Sequence, residues 1–127
     1  VVLDNLSKGH RAALSDEAVF VEGDIGHPEA VREVIRKYHV ERVVHFAAYS
    51  LVGESMEAPL RYFENNLIKG IRLIDTCVAQ GVRSFVLSST AAVYGDPVTV
   101  PIPETHPLAP KNPYGVSKLG LEQVLRS

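Results

Sequence analysis

Hydrophobic residues are concentrated in four short runs, which predict β-strands at Val1 to Leu3, Ala18 to Glu22, Arg42 to Phe46 and Ser84 to Ser88. Within these runs the apolar residues are continuous, as in Val43-Val44, rather than alternating with polar ones. Continuity of this kind is typical of strands in a parallel sheet that is covered on both faces. We therefore expect both faces of each strand to be buried.

Apolar residues elsewhere recur at helical spacing and predict three helices. The first runs from Pro28 to Tyr38, with the proline at the first helical position. The second follows Pro59, and Gly81 stands where a left-handed C-cap is expected. The third begins after Asn112, a residue type that caps helix N-termini. The apolar stripes of the first two helices are Val31, Val34, Ile35 and Tyr38, and Leu60, Phe63, Leu67, Ile71, Ile74 and Val78.

The alternation of strands and helices predicts an α/β fold with a doubly wound parallel sheet. The segment from Asp96 to Pro113 contains six prolines, so we expect an irregular loop before the last helix. No linker or repeat divides residues 1–127. Val1 to Leu3 reads as the end of a strand, and the helical pattern of Leu121 to Ser127 has no cap. We therefore expect the 127 residues to be the central part of a longer domain.

Composition excludes several classes of protein. A hydrophobic fraction of 46% and a net charge of −2 are unlike those of a disordered chain. The 13 basic residues are balanced by 15 acidic ones, which gives no basic surface for nucleic acid or an anionic membrane. The single cysteine, Cys77, cannot form an internal disulfide, and no apolar run approaches the length of a membrane span. We expect a cytoplasmic protein without nucleic-acid or membrane partners.

Small and hydrogen-bonding residues follow every predicted strand. The segments at the strand ends are Asp4-Asn5, Glu22 to Ile25, His45 to Ala48, and Ser88 to Thr90. In an open parallel sheet, ligands bind outside the carboxyl ends of the strands. The sequence therefore predicts a ligand site that these segments line.

Two aspartates in these segments have both a binding and a turn interpretation. An acidic residue at the position of Asp4 can bond the ribose hydroxyls of a dinucleotide and repel an added phosphate. Asp24 can accept a hydrogen bond from an adenine amine. Either aspartate can instead cap an ordinary turn, because aspartate bonds the backbone two residues further on. Position alone leaves both interpretations open.

Tyr114 and Lys118 form the most specific candidate pair. Residues at i and i+4 share one face of a helix, so the two side chains are neighbours. A nearby ammonium favours the phenolate form of tyrosine, which would make Tyr114 a usable acid and base for a hydroxyl proton. An exposed helical pair without a function is the alternative, and the hydroxyls of Ser88 to Thr90 favour the catalytic interpretation.

Other reactive residues carry no recognisable site. The five histidines lack metal-ligand spacing, so we expect no metal. We expect His45 and Cys77 to be core residues. The Gly-x-Ser-x-Gly turn of serine hydrolases is absent from the sequence.

The chain resembles the extended short-chain dehydrogenase/reductases, and among them the UDP-glucose 4-epimerase family. Tyr-x-x-x-Lys marks only the superfamily, whereas Val52 to Ser55 together with Ser88 to Gly95 point to the epimerases. The other matching segments are Leu3 to Leu6, Val21 to Ile25, His45 to Ala48, Asn65-Asn66 and Tyr114 to Lys118. The resemblance implies a Rossmann-like domain that binds NAD and interconverts UDP-glucose and UDP-galactose.

The resemblance also implies roles for individual residues. Thr90, Tyr114 and Lys118 would be catalytic: Thr90 bonds the sugar 4-hydroxyl, Tyr114 takes its proton, and Lys118 lowers the pKa of the tyrosine. Hydride would leave C4 for NAD and return to the other face after the 4-keto sugar has turned over. Thr90 and Tyr114 would contact the substrate. The implied NAD-binding residues are Asp4, Asn5, Leu6, Ser7, Asp24, Ile25, Phe46, Ala47, Ala48, Ser50, Asn66, Ser88, Tyr114 and Lys118.

The sequence departs from the family pattern at two places. Ser50 stands where some epimerases have lysine. The glycine-rich turn that cradles the pyrophosphate would lie upstream of Val1, and the part that binds UDP would follow the last helix. We therefore expect the 127 residues alone to be inactive, and a homodimer for the full-length protein.

Three alternatives follow from the same residues. A related epimerase could act on UDP-N-acetylhexosamines or UDP-pentoses. Dehydratases of the superfamily usually carry Asp-Glu after the catalytic threonine, whereas Ala91-Ala92 stand here, which argues against dehydration. A non-catalytic NAD-binding module would not need the trio of Thr90, Tyr114 and Lys118.

Overall fold

The computed structural model describes residues 1–127, which form short parallel strands and helices in alternation. The strands are β1 (Val2–Asp4), β2 (Phe20–Glu22), β3 (Arg42–His45) and β4 (Ser84–Leu87). The helices are α1 (Pro28–Lys37), α2 (Val52–Glu57), α3 (Pro59–Tyr62), α4 (Lys69–Ala79) and α5 (Pro113–Arg126). A π-helical turn, Phe63–Ile68, lies between α3 and α4, and 3-10 turns lie at Arg11–Ala13 and Ala91–Tyr94. None of these helices has both the length and the apolar character that crossing a membrane requires.

The residues form two compact units. The first comprises residues 1–47 and 68–87 and contains the four strands with α1 and α4. The second comprises residues 48–67 and 88–127 and contains α2, α3 and α5.

The first unit is built from two parallel strand pairs. β1 pairs with β2, with Leu3 opposite Val21, and β3 pairs with β4, with Val43 opposite Phe85. The hydrophobic core lies between the strands and the two helices, which contribute the buried residues Val31, Ile35, Leu73 and Cys77. Leu3, Ile25, Val40, Val43, Val82 and Phe85 pack against these four.

The expectation that both faces of the strands are buried is wrong for this chain. The residues that follow Val43 and Phe85 point to the opposite face, where Val44 is 57% and Val86 54% exposed. Core residues of both α1 and α4 pack with Val43 and Phe85 on a single face of the β3–β4 pair. The continuous apolar runs therefore have one covered face.

The helices begin where the sequence predicts and one of them is interrupted. Pro28 occupies the first turn of α1, and Gly81 has a φ of 74°, in the left-handed region. The single long helix expected after Pro59 consists instead of α3, the π-helical turn and α4. Asn66 lies in the π-helical turn, where its side chain accepts a hydrogen bond from Tyr49 N and donates one to Tyr49 O. We attribute the interruption of the helix to these bonds. Residues 96–112 contain no helix or strand, as the prolines predict.

Candidate active site

Tyr114 and Lys118 lie on the first two turns of α5, in the second unit. The Asn112 side chain caps this helix as predicted, since its Oδ1 accepts a hydrogen bond of 2.8 Å from Gly115 N. Lys118 is buried, with 3% of its surface exposed, and Tyr114 is half-buried. The pair is therefore not the exposed helical pair that was the alternative interpretation.

The ammonium of Lys118 is held in a shielded environment. Burial lowers the pKa of Lys118, and the negative charge of Glu122, one turn further along α5, opposes this effect. None of the hydrogen bonds within the protein uses this ammonium. Lysines whose pKa is lowered by burial cluster at functional sites.

Thr90 follows the end of β4 by three residues along the chain and is the N-cap of the 3-10 turn Ala91–Tyr94. Its hydroxyl oxygen accepts a hydrogen bond of 3.1 Å from Ala92 N, which fixes the side chain. Gly115 lets α5 approach this turn, because a Cβ on Gly115 would lie only 2.7 Å from Ala92 O. The glycine after Tyr114 thus brings the start of α5 against the turn that carries Thr90.

Tyr62, which the sequence analysis did not select, packs against Tyr114. The two rings meet edge to face, with centroids 6.4 Å apart and planes at 80°. The Tyr62 hydroxyl lies 2.8 Å from Leu51 O and 2.9 Å from Glu54 Oε2. Burial and the hydrogen bond to Glu54 raise the pKa of Tyr62, so this tyrosine stays protonated at neutral pH.

Asn66 is buried, and its amide is bound to protein groups. Its Oδ1 accepts from Tyr49 N at 2.8 Å, and its Nδ2 donates to Tyr49 O at 2.9 Å and to Ser117 Oγ at 3.2 Å. The Ser117 hydroxyl in turn donates to Tyr114 O at 2.7 Å. Asn66 thereby joins the segment after β3 to the helix that carries Tyr114 and Lys118. A direct contact of Asn66 with a cofactor stays a prediction.

Asp4 and Asp24 lie at the strand ends of the first unit, as predicted. The Asp4 carboxylate accepts a hydrogen bond of 2.6 Å from Leu6 N, which is the turn chemistry of the alternative interpretation. Gly9 lies close above it, because a Cβ there would come within 3.0 Å of both carboxylate oxygens. Turn formation leaves the second carboxylate oxygen of Asp4 without a hydrogen bond from the protein.

Asp24 is the centre of a polar cluster in the same unit. Lys69 Nζ donates to Asp24 Oδ2 at 2.6 Å, Asn5 Nδ2 donates to the same oxygen at 3.0 Å, and Gly26 N donates to Oδ1 at 2.8 Å. Burial raises the pKa of Asp24, but these hydrogen bonds outweigh it and lower the pKa below its usual range. Asp24 is therefore a firmly ionised acceptor. No sequence pattern indicates Lys69 as a partner of Asp24, because the two lie 45 residues apart.

The remaining predicted site residues are divided between the units. In the first unit, Ser7 N donates to Asn5 Oδ1 at 3.0 Å, Ile25 packs on the core, Phe46 is 73% exposed and Ala47 is half-buried. In the second, Ala48 and Ser88 are half-buried and Ser50 is exposed. Thr90, Tyr114 and Lys118, the predicted catalytic residues, thus all lie in the second unit. The cofactor roles of these residues stay predictions.

His45 and Cys77 are core residues, as expected. His45 is 3% exposed, and its ring meets that of Phe85 at 5.9 Å. Burial raises the pKa of the Cys77 thiol to about 11, so this cysteine is unreactive at neutral pH. No group of three or more histidine, cysteine, aspartate or glutamate side chains is arranged to hold a metal ion.

Comparison with known sequences identifies related proteins. The family model for GDP-mannose 4,6 dehydratase matches residues 2–127. Among curated proteins, the chain is 49% identical over 127 residues to a UDP-glucose 4-epimerase of Streptococcus mutans, and 47% identical over 125 residues to one of Lacticaseibacillus casei. These alignments cover 99% and 98% of this chain but only 38% of each relative. The chain therefore spans less than two-fifths of the length of these relatives.

Solved structures show the same similarity. The UDP-Glc/GlcNAc 4-epimerase of Campylobacter jejuni matches with a TM-score of 0.90 and 47% identity, over 98% of this chain and 39% of that one. A UDP-glucose 4-epimerase of Brucella ovis, solved in complex with NAD, matches with a TM-score of 0.93 and 41% identity, over 98% and 38%. The α/β, Rossmann-like fold class expected from the sequence is confirmed by these matches.

Proposed function

Because the chain belongs to the GDP-mannose 4,6 dehydratase family, we propose that it forms the catalytic part of a UDP-glucose 4-epimerase. The observation that carries this proposal is the buried Lys118 on the same helical face as Tyr114, beside the turn of Thr90. Relatives that bear this name are 43–49% identical to the chain over nearly its whole length. We further propose that residues 1–127 are the central part of the NAD-binding domain.

We propose NAD as the cofactor of the full-length enzyme. The ammonium of Lys118 has no acceptor within the protein and would donate to the nicotinamide ribose. Asp4 would hold the adenosine ribose with its free carboxylate oxygen, and Asp24 would accept from the adenine amine with its remaining lone pair. The small side chains of Ala47 and Ala48 would let a flat ring approach the backbone. When bound, NAD would supply the hydride acceptor and donor for oxidation and reduction at C4 of the sugar.

The residues of this chain would move the proton of the sugar 4-hydroxyl. The Thr90 hydroxyl is oriented by Ala92 N and would hold the sugar oxygen. Tyr114 would take the proton as a phenolate and give it back in the second half of the reaction. Lys118 would stabilise that phenolate, since an opposite charge nearby favours the ionised form. Tyr62 would keep the Tyr114 ring in place through its edge-to-face contact.

The proposal is tested in a polypeptide of the relatives' full length that contains these 127 residues, here termed the full-length protein. Interconversion of UDP-galactose and UDP-glucose is followed by a coupled assay. We expect Tyr114→Phe and Lys118→Met each to lower kcat about a hundredfold or more, the size of a lost acid–base catalyst. Tyr38→Phe serves as the matched control, because Tyr38 lies in the first unit, at the C-terminus of α1. A Tyr114→Phe protein with the wild-type rate would exclude the proton-transfer role.

Two related activities are distinguished by their products. Dehydration would release a 4-keto-6-deoxy sugar, and we expect none because Ala91-Ala92 supply no acid or base beside Thr90. Epimerisation of UDP-N-acetylglucosamine is favoured by the similarity to the Campylobacter jejuni UDP-Glc/GlcNAc enzyme. Assaying UDP-glucose, UDP-N-acetylglucosamine and a UDP-pentose in parallel identifies the preferred substrate. NAD binding without turnover of any of them would indicate a non-catalytic module.

A homodimer of the full-length protein in the cytoplasm is the remaining part of this proposal. Leu60 on α3 is 81% exposed and Val116 on α5 is 41% exposed, so both helices present apolar residues on their surface. Exposed apolar residues of this kind are common at interfaces between subunits. Analytical ultracentrifugation of the wild type and a Leu60→Glu variant tests this, and a monomeric wild type would contradict it.

A further inference from the structure

A hydrogen bond between Ser89 and Glu122 connects the two segments that carry the catalytic trio. The Ser89 hydroxyl donates to Glu122 Oε1. Ser89 immediately precedes Thr90, and Glu122 follows Lys118 by one turn of α5. The Glu122 side chain is 17% exposed, so this charge-assisted bond is partly shielded from water.

The carboxylate of Glu122 faces few other charged groups. Arg126 NH2 approaches Glu122 Oε2 at 3.3 Å from the exposed end of α5, with 64% of the arginine side chain in solvent. On α2 and α3, which pack against α5, Glu54 and Arg61 pair with each other at 2.7 Å. The turn Ala91–Tyr94 carries no charged side chain. The ammonium of Lys118, one turn back on α5, also feels the charge of Glu122 without a hydrogen bond to it, so the contact of Glu122 that reaches the segment of Thr90 is the hydrogen bond from Ser89.

The Ser89–Glu122 bond adds a polar attachment to the packing of α5 against the turn Ala91–Tyr94. Gly115 allows the start of α5 to lie against Ala92 O. The Ser89–Glu122 bond ties the segment before the turn to α5 two helical turns further along, so the two segments are held at both places.

We propose that Glu122 is a positioning residue, which holds Ser89 and thereby aligns the hydroxyl of Thr90 with Tyr114 and Lys118. It does not touch the substrate itself and acts through the turn that it fixes. The kinetic test below rests on the proposed function, and a second measurement is independent of it.

The kinetic test compares Ser89→Ala, Glu122→Ala, Glu122→Gln and the double alanine variant in the full-length protein. We expect each single alanine variant to lower kcat about ten- to a hundredfold, as misplacement of reacting groups does, with KM changed less than about threefold. The double variant should be no slower than the slower single variant, because both remove the same bond. Glu122→Gln should recover most of kcat, since an amide oxygen still accepts from Ser89. Arg126→Gln is the matched control and should leave kcat unchanged.

The second measurement uses the methyl NMR signal of Thr90 in the 127-residue chain. Ser89→Ala and Glu122→Ala should shift this signal in the same direction, and Arg126→Gln should leave it in place. Wild-type kcat in both alanine variants, or additive effects in the double variant, would overturn the proposal. If the wild type does not epimerise any UDP-sugar, the proposed function fails, and an unshifted Thr90 signal in both alanine variants would then overturn the positioning role separately.

Discussion

Lys118 shows how a single residue is costly to the fold and useful to the proposed reaction. Lys118 has 3% of its surface exposed, although its ammonium is not a fully buried atom without a partner. Burial disfavours the charged form and lowers the pKa of Lys118, and Glu122 offsets only part of this effect. The same shielding strengthens the influence of the ammonium on a nearby phenolate, because electrostatic interactions are stronger where water is excluded.

Lys118→Met is expected to make the protein more stable while it abolishes turnover. Methionine fills a similar volume without a buried charge, so we expect the free energy of unfolding at pH 7 to rise by about 1 kcal/mol. The penalty of the wild-type lysine is complete below its folded pKa and disappears as pH rises toward the unfolded value, because the unfolded state then binds more protons. The stability difference should therefore shrink between pH 7 and pH 10.5 in urea titrations.

The control is Lys37→Met, at an exposed lysine, which should change stability by less than about 0.5 kcal/mol. A Lys118→Met protein less stable than the wild type would show that the ammonium stabilises the fold.

Lys69→Met tests the pKa shift at Asp24, which is also downward but favours the charged form, whereas the shift at Lys118 disfavours it. The hydrogen bonds to Asp24 lower its pKa, so its contribution to stability is present above pH 3.8 and is lost as pH falls through the folded pKa. Without Lys69 we expect a loss of about 1 kcal/mol at pH 7, and this difference should vanish in acid. Arg32→Met removes an exposed pair with Glu29 and should cost at most about 0.5 kcal/mol. Thermal unfolding from pH 2 to 7 measures both, and a pH-independent loss in Lys69→Met would contradict the ionic role.

At the scale of secondary structure, the sequence predicts local features well and non-local contacts poorly. Strand positions, the caps at Asn112 and Gly81 and the placement of Tyr114 and Lys118 on one helix depend on neighbours within a few residues, and all are found in the structure. The π-helical turn depends on Asn66 binding Tyr49, 17 residues away, and no periodicity reports such a contact. The short helix α2 was missed for the same reason, since its only buried residue is Ser55.

The residues of the candidate sites also divide into those that local sequence predicts and those that only non-local contacts reveal. Thr90, Tyr114 and Lys118 are recognisable because their spacing along a strand end and a helix is fixed by local geometry. Tyr62, Lys69 and the Ser89–Glu122 pair are brought to the site by tertiary packing across 33 to 52 residues. A single sequence contains no record of these distances.

Gly115→Ala tests the approach of α5 to the turn that carries Thr90. The added Cβ would lie 2.7 Å from Ala92 O and 3.0 Å from Pro110 Cβ, so the helix must move outward. We expect a loss of stability of about 1–3 kcal/mol, and a loss of kcat in the full-length protein. Gly53→Ala is the matched control in α2, because nothing lies within 4 Å of the new Cβ, and it should gain up to about 1 kcal/mol from helix propensity. Equal effects of the two substitutions in urea unfolding would show that the close approach is not required.

At the scale of the whole molecule, the strands form two separate parallel pairs within the first unit. A two-stranded sheet is marginally stable alone, because it pairs only one edge of each strand. An open cleft of about 740 Å³ lies in this unit, lined by residues of β1 and β3 and by apolar side chains of α1 and α4. None of the residues that line this cleft belongs to the proposed catalytic trio, which lies in the second unit.

The 127-residue chain is therefore expected to be inactive as an epimerase, although it contains the complete proposed trio. The apolar lining of the cleft should bind a hydrophobic dye such as ANS, and the β1 and β3 edges should exchange amide protons quickly, since their outer hydrogen-bonding groups face this opening. The full-length protein should bind little dye, protect the same amides and interconvert UDP-galactose and UDP-glucose.

Dye fluorescence, hydrogen exchange and turnover are measured in parallel on both proteins. Full-length Tyr114→Phe is the inactive but folded control, which separates loss of structure from loss of chemistry. Measurable turnover by the 127-residue chain would contradict this prediction and would show that the second unit and this cleft suffice for the reaction.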